Sequence, residues 1–449
     1  MSFPNEFIWG TASAAYQIEG GVSEGERGPS VWDTFSHIPG KIFENQNGDI
    51  ACDAYHRYKE DIRLMAELGI HNYRFSISWA RVIPDGFHVN PKGLEYYDRL
   101  VDCCLNYGIT PWVTLYHWDL PQEVENQGGW TNRKTAKAFC WYAETVVRHF
   151  YERVRHWYTL NEPQCFIDLG YRTGTHAPGR RENRGQVFRA MHNALLAHGL
   201  AAKAMRSIDP GLMIGVATTG RLCYPASLKP SDREAAKAAT FFLADENWCF
   251  THHWFLDPLF FGHYPECGGT FLEPLAKSVP EADWADIQEK PDFIGMNIYH
   301  GMEAEATPEG APSIKQKYTG YPCTATKWPV TPQVMYWGTK WIHERYGAPI
   351  IISENGQSGN DRIYLDGKVH DPDRIDFLKR YLRELERAIR DGVDIRGYFH
   401  WSFTDNFEWA LGYGERFGLI YIDYPTQKRI PKDSAAWYAA MIKCNNLLF

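Results

Sequence analysis

The chain reads Thr159-Leu160-Asn161-Glu162-Pro163 in one place and Ile352-Ser353-Glu354-Asn355-Gly356 in another, and each segment ends a β-rich apolar run with a glutamate. In a closed α/β barrel the carboxyl ends of the strands meet at one face, where residues from distant parts of a chain come together. The two segments therefore predict a site that holds two carboxylates, Glu162 and Glu354, each at the end of a different strand.

Eight β-rich runs alternate with helical periods along the chain, which is typical of a parallel sheet with helical crossovers. Ile350-Ile351-Ile352 is apolar throughout, as expected of a strand buried on both faces. Apolar residues recur at helical spacing from Tyr55 to Met65 and from Leu378 to Ile389, and Gly69 and Gly392 follow where helices commonly end in glycine. The predicted strands are Phe7–Ala12, Asn72–Ser76, Thr110–Leu115, His156–Leu160, Leu212–Ala217, Phe293–Met296, Pro349–Ser353 and Ile395–His400.

The length of 449 residues by itself favours two domains. Closed α/β barrels are the main exception, because loop insertions carry one barrel past ~400 residues. No Ser-, Pro- or Gly-rich linker divides the chain into halves, and the strand–helix units number eight. We therefore predict one domain, residues 1–449, folded as a single (β/α)8 TIM barrel with its active site at the C-terminal ends of the strands.

Composition excludes several classes of function. The net charge of −8 and the lack of a basic stripe argue against nucleic acid as a partner. No apolar run is long enough to span a bilayer, and no signal peptide is visible, so no membrane partner is predicted. The ten cysteines include no C-x-x-C pair, which favours reduced thiols and a cytoplasmic location. The sequence is compatible with a homo-oligomer and leaves the oligomeric state open.

Seven of the eight predicted strands lead to polar or aromatic residues at their C-terminal ends; only Leu212–Ala217 contributes none. These candidates are Gln17, Arg74, His117, Trp118, Asn161, Glu162, Asn297, Tyr299, Glu354, Trp401, Glu408 and Trp409. A lone histidine or carboxylate at such a position is often structural, but the repetition around the barrel favours a binding cleft. The adjacent pair His252-His253 lacks the spacing of a zinc site, and no Gly-rich phosphate loop is present, so we predict neither a metal nor a cofactor.

Two carboxylates in one cleft can break a glycosidic bond if one holds a proton while the other stays ionised to attack C1. Arg74 is suited to keeping the nucleophile ionised, and Tyr299 is predicted to donate a hydrogen bond to the same oxygen. Polar residues are suited to reading sugar hydroxyls and tryptophans to stacking on sugar rings. The hydroxyl readers are Asn161, Gln17, His117 and Glu408, and the stacking residues are Trp401 and Trp409.

From Phe7-Ile8-Trp9-Gly10-Thr11-Ala12 almost to its C-terminus, the chain resembles glycoside hydrolase family one, the β-glucosidase family. The two glutamate segments and Trp401-Ser402 through Trp409 are its most specific motifs. The resemblance implies that Glu162 is the general acid/base, that Glu354 is the nucleophile, and that the reaction retains configuration without a metal. The glycone pattern maps onto Gln17, His117, Asn161, Glu354, Trp401, Glu408 and Trp409, with Asn297, Tyr299 and Phe417 as supporting residues.

Trp328 resembles the family's aglycone-side tryptophan, and Trp118 and Phe417 are candidate cleft walls. Two departures from the family pattern are Ile298 between Asn297 and Tyr299, and Lys327 before Trp328. The second leaves the aglycone preference open.

The resemblance implies a retaining β-glucosidase that acts on cellobiose, short cello-oligosaccharides and aryl β-glucosides. β-Galactosidase or β-fucosidase activity and transglycosylation stay open. A 6-phospho-β-glucosidase is disfavoured because Glu408 would repel a phosphate. A barrel that only binds sugar would predict the loss of one carboxylate, and both are present.

Overall fold

The computed structural model describes residues 3–243, 245–246 and 248–447. Its thirteen described strands are β1 Ile8–Ala12, β2 Asn72–Ser76, β3 Thr110–Tyr116, β4 His156–Asn161, β5 Met213–Thr218, β6 Cys223–Pro225, β7 Phe293–Asn297, β8 Met302–Ala306, β9 Pro312–Ile314, β10 Ile350–Asn355, β11 Ile395–Trp401, β12 Ile420–Asp423 and β13 Lys428–Pro431.

Eight of these strands form a closed barrel, in the order β1-β11-β10-β7-β5-β4-β3-β2, and all neighbouring pairs are parallel. Each barrel strand overlaps one predicted run, and the observed ends differ from the predicted ends by two residues at most. The predicted (β/α)8 barrel is therefore confirmed. The sequence did not predict a three-stranded sheet, β6-β8-β9, or the hairpin β12-β13.

Helices connect the strands and cover the barrel. The described α-helices are α1 Ala15–Ile18, α2 Val31–Ser36, α3 Ala54–Glu67, α4 Trp79–Val82, α5 Pro91–Asn106, α6 Gln122–Asn126, α7 Lys134–Phe150, α8 Pro163–Ile167, α9 Arg184–Ile208, α10 Pro230–Thr240, α11 His252–Phe261, α12 Leu272–Lys277, α13 Glu281–Ile287, α14 Gln333–Tyr346, α15 Pro372–Arg390 and α16 Asp433–Cys444. Gly69 and Gly392 follow α3 and α15 with φ of 68° and 92°, the left-handed conformation that ends helices. None of the described helices is long and apolar enough to cross a membrane.

Apolar side chains fill both sides of the barrel wall. The larger core lies between the strands and the helices, and a smaller one fills the barrel interior. The interior core contains Trp112, Tyr158, Phe293, Ile351 and Phe399, all buried. Because this interior core fills the barrel beneath the strand ends, the polar residues at those ends face a cavity that opens at the C-terminal face.

Candidate active site

A cavity of about 450 Å³ lies at the C-terminal ends of the barrel strands, and three carboxylates line it: Glu162, Glu354 and Glu408. Seven of the predicted aromatic and imidazole side chains line it too: His117, Trp118, Tyr299, Trp328, Trp401, Trp409 and Phe417. Asn297 also lies in the lining. Gln17, Arg74 and Asn161 are fully buried behind it and reach the lining residues through hydrogen bonds.

Both glutamates lie where the barrel register is irregular. The pairing of β4 with β5 shifts between Tyr158 and Asn161, and the pairing of β10 with β7 shifts between Ile352 and Glu354. Glu162 then adopts a left-handed backbone conformation, with φ of 47°, directly before helix α8. Such irregularities redirect side chains at strand ends, and here both carboxylates end up in the cavity.

The oxygens of Glu354 have two donors, one from strand β2 and one from the segment that follows β7. Arg74 Nη1 donates to Oε1 at 2.6 Å, and the Tyr299 hydroxyl donates to Oε2 at 2.8 Å. The two donors therefore use different oxygens, so the expectation that Tyr299 shares the oxygen bound by Arg74 is wrong. Burial raises the pKa of Glu354, while Arg74 and Tyr299 oppose that shift by stabilising the ionised form.

Glu162 has no cation in contact with it among the described residues. Its Oε1 accepts a hydrogen bond from Asn297 Nδ2 at 2.9 Å, and its backbone NH donates to Ala217 of the neighbouring strand. Burial and the nearby charge of Glu354 raise the pKa of Glu162 to about 8. At neutral pH this carboxyl therefore keeps its proton, while the carboxylate with the arginine partner is better placed to be ionised.

Asn161 joins three of the predicted site residues. Its Oδ1 accepts hydrogen bonds from Arg74 Nη2 at 2.6 Å and from Asn297 Nδ2 at 3.0 Å, and its Nδ2 donates to His117 Nε2 at 3.1 Å. Burial and the charge of Arg74 lower the pKa of His117 well below its usual value, so the imidazole is neutral. Since Nε2 accepts, Nδ1 carries the proton, and this buried donor has no partner in the described part of the chain.

A second polar cluster surrounds Glu408. Oε2 of Glu408 accepts from Gln17 Nε2 at 3.3 Å and from Asn406 Nδ2 at 2.9 Å. Burial raises the pKa of Glu408 to about 8, against the effect of these two amides. Gln17 Oε1 is buried and has no partner within the described residues. Together with His117 Nδ1, it is a polar group that a sugar hydroxyl could satisfy.

Aromatic rings form the walls. Trp118 and Trp409 stack with their ring centroids 4.6 Å apart, and both have positive φ, 78° and 53°. Trp118 is also held by a hydrogen bond from its Nε1 to the carbonyl of Asn161, at 2.9 Å. On the other side Trp328 packs on Tyr299 and Phe417, at 5.1 and 6.1 Å between centroids.

The strand that yielded no candidate contributes a wall of the cavity. Residues 219–222, which follow β5, line it together with Leu169, His176, Phe250, His300 and Met302. Candidates were sought at or just after the C-terminal end of each predicted strand. Extending that search to four residues beyond Leu212–Ala217 would have included Arg221. Of the remaining residues of this wall, His300 directly follows Tyr299, whereas no sequence pattern marks Leu169, His176 or Phe250.

Comparisons with known proteins identify the family of this chain. Residues 1–447 match the model of "Glycosyl hydrolase family 1". Beta-glucosidase A of Thermotoga maritima is 43% identical over 447 residues, which cover 99% of this chain and 98% of that relative. A 1,4-beta-D-glucan glucohydrolase of Thermotoga neapolitana is 41% identical, with 99% of each chain covered.

Solved structures match over the whole chain. The β-glucosidase from Thermotoga maritima in complex with castanospermine superposes with a TM-score of 0.91 at 42% identity, covering 100% of both chains. The same enzyme in complex with galacto-hydroximolactam gives a TM-score of 0.90. The resemblance inferred from the motifs is thus confirmed, and this chain belongs to glycosyl hydrolase family 1 and is a glycoside hydrolase.

Proposed function

We propose that this enzyme is a retaining β-glucosidase that releases terminal β-D-glucosyl residues from cellobiose, short oligosaccharides and aryl β-glucosides. The observation that carries the proposal is the asymmetry of the two buried carboxyls. Glu354 contacts the guanidinium of Arg74, whereas Glu162 accepts a hydrogen bond from the amide of Asn297 and has a pKa raised to about 8 by burial and by Glu354. One carboxylate is suited to attack and the other to protonate a leaving group.

In the first step Glu354 attacks C1, and the glycosidic oxygen takes the proton of Glu162 as its bond to C1 breaks. The aglycone leaves as an alcohol or phenol, and a covalent glucosyl-enzyme remains. In the second step the ionised Glu162 takes a proton from water, whose oxygen attacks C1 and displaces Glu354. Two displacements at C1 give β-glucose and restore both carboxyls to their starting forms.

The glycone is proposed to lie between the two polar clusters. The unpaired His117 Nδ1 and Gln17 Oε1, with Glu408, offer a donor and acceptors for sugar hydroxyls. These groups suit either configuration at C4, so we propose β-galactosidase activity as a side activity. A relative, the β-glucosidase of Thermotoga maritima, has been solved with galacto-hydroximolactam.

A 6-phosphorylated sugar is the poorer substrate in this proposal. A phosphate requires cations, and the side-chain partners of Glu408 are two amides, Gln17 and Asn406. We also propose a cytoplasmic location, because none of the ten cysteines is paired in a disulfide and free thiols persist in reducing compartments.

The test is proton NMR during hydrolysis of 4-nitrophenyl β-D-glucoside, with the β-galactoside and the 6-phospho-β-glucoside as comparison substrates. We expect the glucoside to be the best of the three, and β-glucose to accumulate before mutarotation produces the α-anomer. Early α-glucose would contradict the retaining mechanism. Faster turnover of the phosphorylated sugar than of glucoside would contradict the proposed substrate class.

A further inference from the structure

Arg221 is the one arginine or lysine that lines the cavity in the described part of the chain. Its Nη2 is buried, yet it has no hydrogen-bond partner, and the guanidinium forms no ion pair with a carboxylate among residues 3–243, 245–246 and 248–447. Burial lowers the pKa of Arg221 from its usual value. A charged group is thus partly removed from water without a counter-ion.

Other buried arginines of this protein do have counter-ions. Arg345, also partly buried, donates from Nε to Asp257 Oδ1 at 2.8 Å, and Arg74 contacts Glu354. Removing a cation from water costs free energy unless a partner compensates it. Since Arg221 lines the cavity, a ligand bound there is a natural source of its missing counter-ion.

The loop that carries Arg221 lies on the leaving-group side of the cavity. Strand β5 pairs with β4, and Glu162, which follows β4, donates its backbone NH to Ala217 of β5. In the proposed mechanism Glu162 protonates the glycosidic oxygen, so the aglycone departs past Glu162. The loop after β5 is therefore next to the aglycone, and the glycone lies deeper, between Glu354 and Glu408.

The loop is held in place by contacts with three other segments. Thr219 Oγ1 donates to the carbonyl of Asn297 at 3.3 Å, and Arg221 donates its backbone NH to the carbonyl of Phe250 at 3.1 Å. The backbone NH of Thr219 donates to Gln164 Oε1 at 3.4 Å. Arg221 is consequently presented from an anchored loop, and its charge has a defined place in the wall.

The surroundings of Arg221 indicate what kind of anion would bind. The same wall is mostly apolar, with Leu169, Leu222, Phe250, Met302 and Trp328. Such a wall fits an aromatic ring, and a guanidinium binds a carboxylate through two parallel hydrogen bonds. Building on the proposed glucosidase function, we propose that Arg221 selects aglycones that carry an anionic group, and that aryl carboxylate β-glucosides are the preferred class.

The test compares charged and neutral aglycones of nearly equal shape. The substrates are 3- and 4-carboxyphenyl β-D-glucosides and the matching carbamoylphenyl β-D-glucosides. They are assayed with the native enzyme, with Arg221→Gln and Arg221→Lys, and with the control Lys229→Gln, whose exposed lysine lies between strand β6 and helix α10. The quantity measured is the ratio of kcat/KM for the carboxylate to kcat/KM for the amide.

We expect Arg221→Gln to lower this ratio about tenfold, with Arg221→Lys between it and the native enzyme. Lys229→Gln should leave the ratio unchanged, and kcat/KM for the amides should change less than twofold in all variants. The carboxylate and amide substrates differ in leaving-group acidity, but this difference is the same for every variant, so it cancels when the ratio is compared between variants. If Arg221→Gln hydrolyses both substrates with the native ratio, the role of Arg221 is wrong and the glucosidase function stands.

A binding measurement separates this inference from the proposed function. Dissociation constants of 4-hydroxybenzoate and 4-hydroxybenzamide are measured by titration calorimetry with the native protein and Arg221→Gln. If no glucoside is hydrolysed, the proposed function fails. Arg221 then still keeps its role if the substitution weakens binding of the benzoate about tenfold and not that of the benzamide. If the substitution weakens binding of the benzoate and the benzamide equally, or weakens neither, the proposed role of Arg221 is overturned.

Discussion

Glu354 and Glu162 differ in the groups that contact their oxygens. A guanidinium and a phenol donate to Glu354, whereas the side chain of Glu162 accepts from a single amide. An adjacent cation favours the ionised form of a carboxyl, and burial without one favours the protonated form. The same residue type therefore takes two roles in the proposed mechanism, and the difference comes from Arg74.

Replacing Glu354 by Gln removes the proposed nucleophile and keeps the shape of the side chain. We expect kcat for a natural disaccharide to fall by about 10⁴-fold or more, because no glucosyl-enzyme can form. Glu408→Gln is the control, since it changes another buried carboxyl of the cavity and should chiefly raise KM. Turnover of cellobiose by Glu354→Gln at near-native rates would exclude this residue as nucleophile.

The raised pKa of Glu162 has a consequence for the pH profile. The general acid must be protonated, so kcat/KM for a glucoside with a poor leaving group should fall as the pH rises through about 8. On the acid side the rate should fall as Glu354 becomes protonated. The variant Glu162→Ala can be assayed with 2,4-dinitrophenyl β-glucoside, whose leaving group needs no acid, and its kcat/KM should show no alkaline decline. For glucosides with poor leaving groups, kcat/KM of the same variant should fall about 10²–10⁴-fold.

Glu408 also has a pKa near 8, so it requires its own control. Glu408→Gln should retain the alkaline decline if Glu162 is its source. Adding azide to Glu162→Ala should yield β-glucosyl azide, because azide needs no base to attack the glucosyl-enzyme. Persistence of the decline in Glu162→Ala with the activated substrate would assign it to another group.

At the scale of secondary structure, the end of β10 carries the proposed nucleophile in a tightly packed turn. Gly356 lies two residues after Glu354, and a Cβ there would overlap the backbone carbonyl of Trp401, at the end of the adjacent strand β11. This close approach brings the two strand ends together and places Trp401 beside the site. The glycine of the Ser-Glu-Asn-Gly segment is thus explained by packing against backbone.

Gly356→Ala is expected to force β10 and β11 apart, because the obstructing atom is backbone and has little room to move. We expect the free energy of unfolding to fall by about 1–3 kcal/mol, and kcat to fall as Glu354 shifts. Gly414→Ala is the matched control, since its Cβ would meet nothing within 4 Å. Urea denaturation and kinetics measure both effects, and equal behaviour of the two variants would contradict this account.

At the scale of the whole molecule, a buried ion network ties the C-terminal segment to the loops after the last two barrel strands. Lys432 Nζ, fully buried, contacts Asp405 Oδ1 at 2.7 Å and Asp361 Oδ2 at 2.5 Å. Asp361 also pairs with Arg374, and Asp405 with Arg416. Asp405 therefore supports the loop of the site and lies behind it. We propose that the chain forms one domain, residues 1–449.

Lys432→Met should destabilise the protein by about 3–5 kcal/mol, because two buried carboxylates lose a cation. Since the network joins distant parts of the proposed single domain, tryptophan fluorescence and circular dichroism should report a single coincident urea transition in both proteins. Lys428→Met, at an exposed position of β13, should change stability by less than about 0.5 kcal/mol. Two separate transitions in the native protein would contradict the single domain.

Much of the fold and of the proposed catalytic pair could be read from the sequence, because both depend on local signals. Each barrel strand is a short apolar run with its own β propensity, and the polar residues of the site follow directly at the strand ends. Glu162 and Glu354 could therefore be named without knowledge of any contact. The oxygen that Tyr299 binds was predicted wrongly, because that choice depends on how β2 and β7 approach Glu354 in space.

The sequence by itself allowed the eight strands and the two glutamates to be predicted, since periodicity and strand-end position are local properties. Closure of the strands into a barrel was an expectation, and the structure confirms it through the pairing of β1 with both β2 and β11. Only the tertiary structure decided which loops wall the cavity and which charges are left without partners. Arg221 lies four residues beyond the predicted strand Leu212–Ala217, so its sequence position gave only a distant signal. Its place depends on hydrogen bonds of its loop to Phe250 and Asn297, and on the absence of a counter-ion in the described residues. Such long-range contacts form only when the chain has folded.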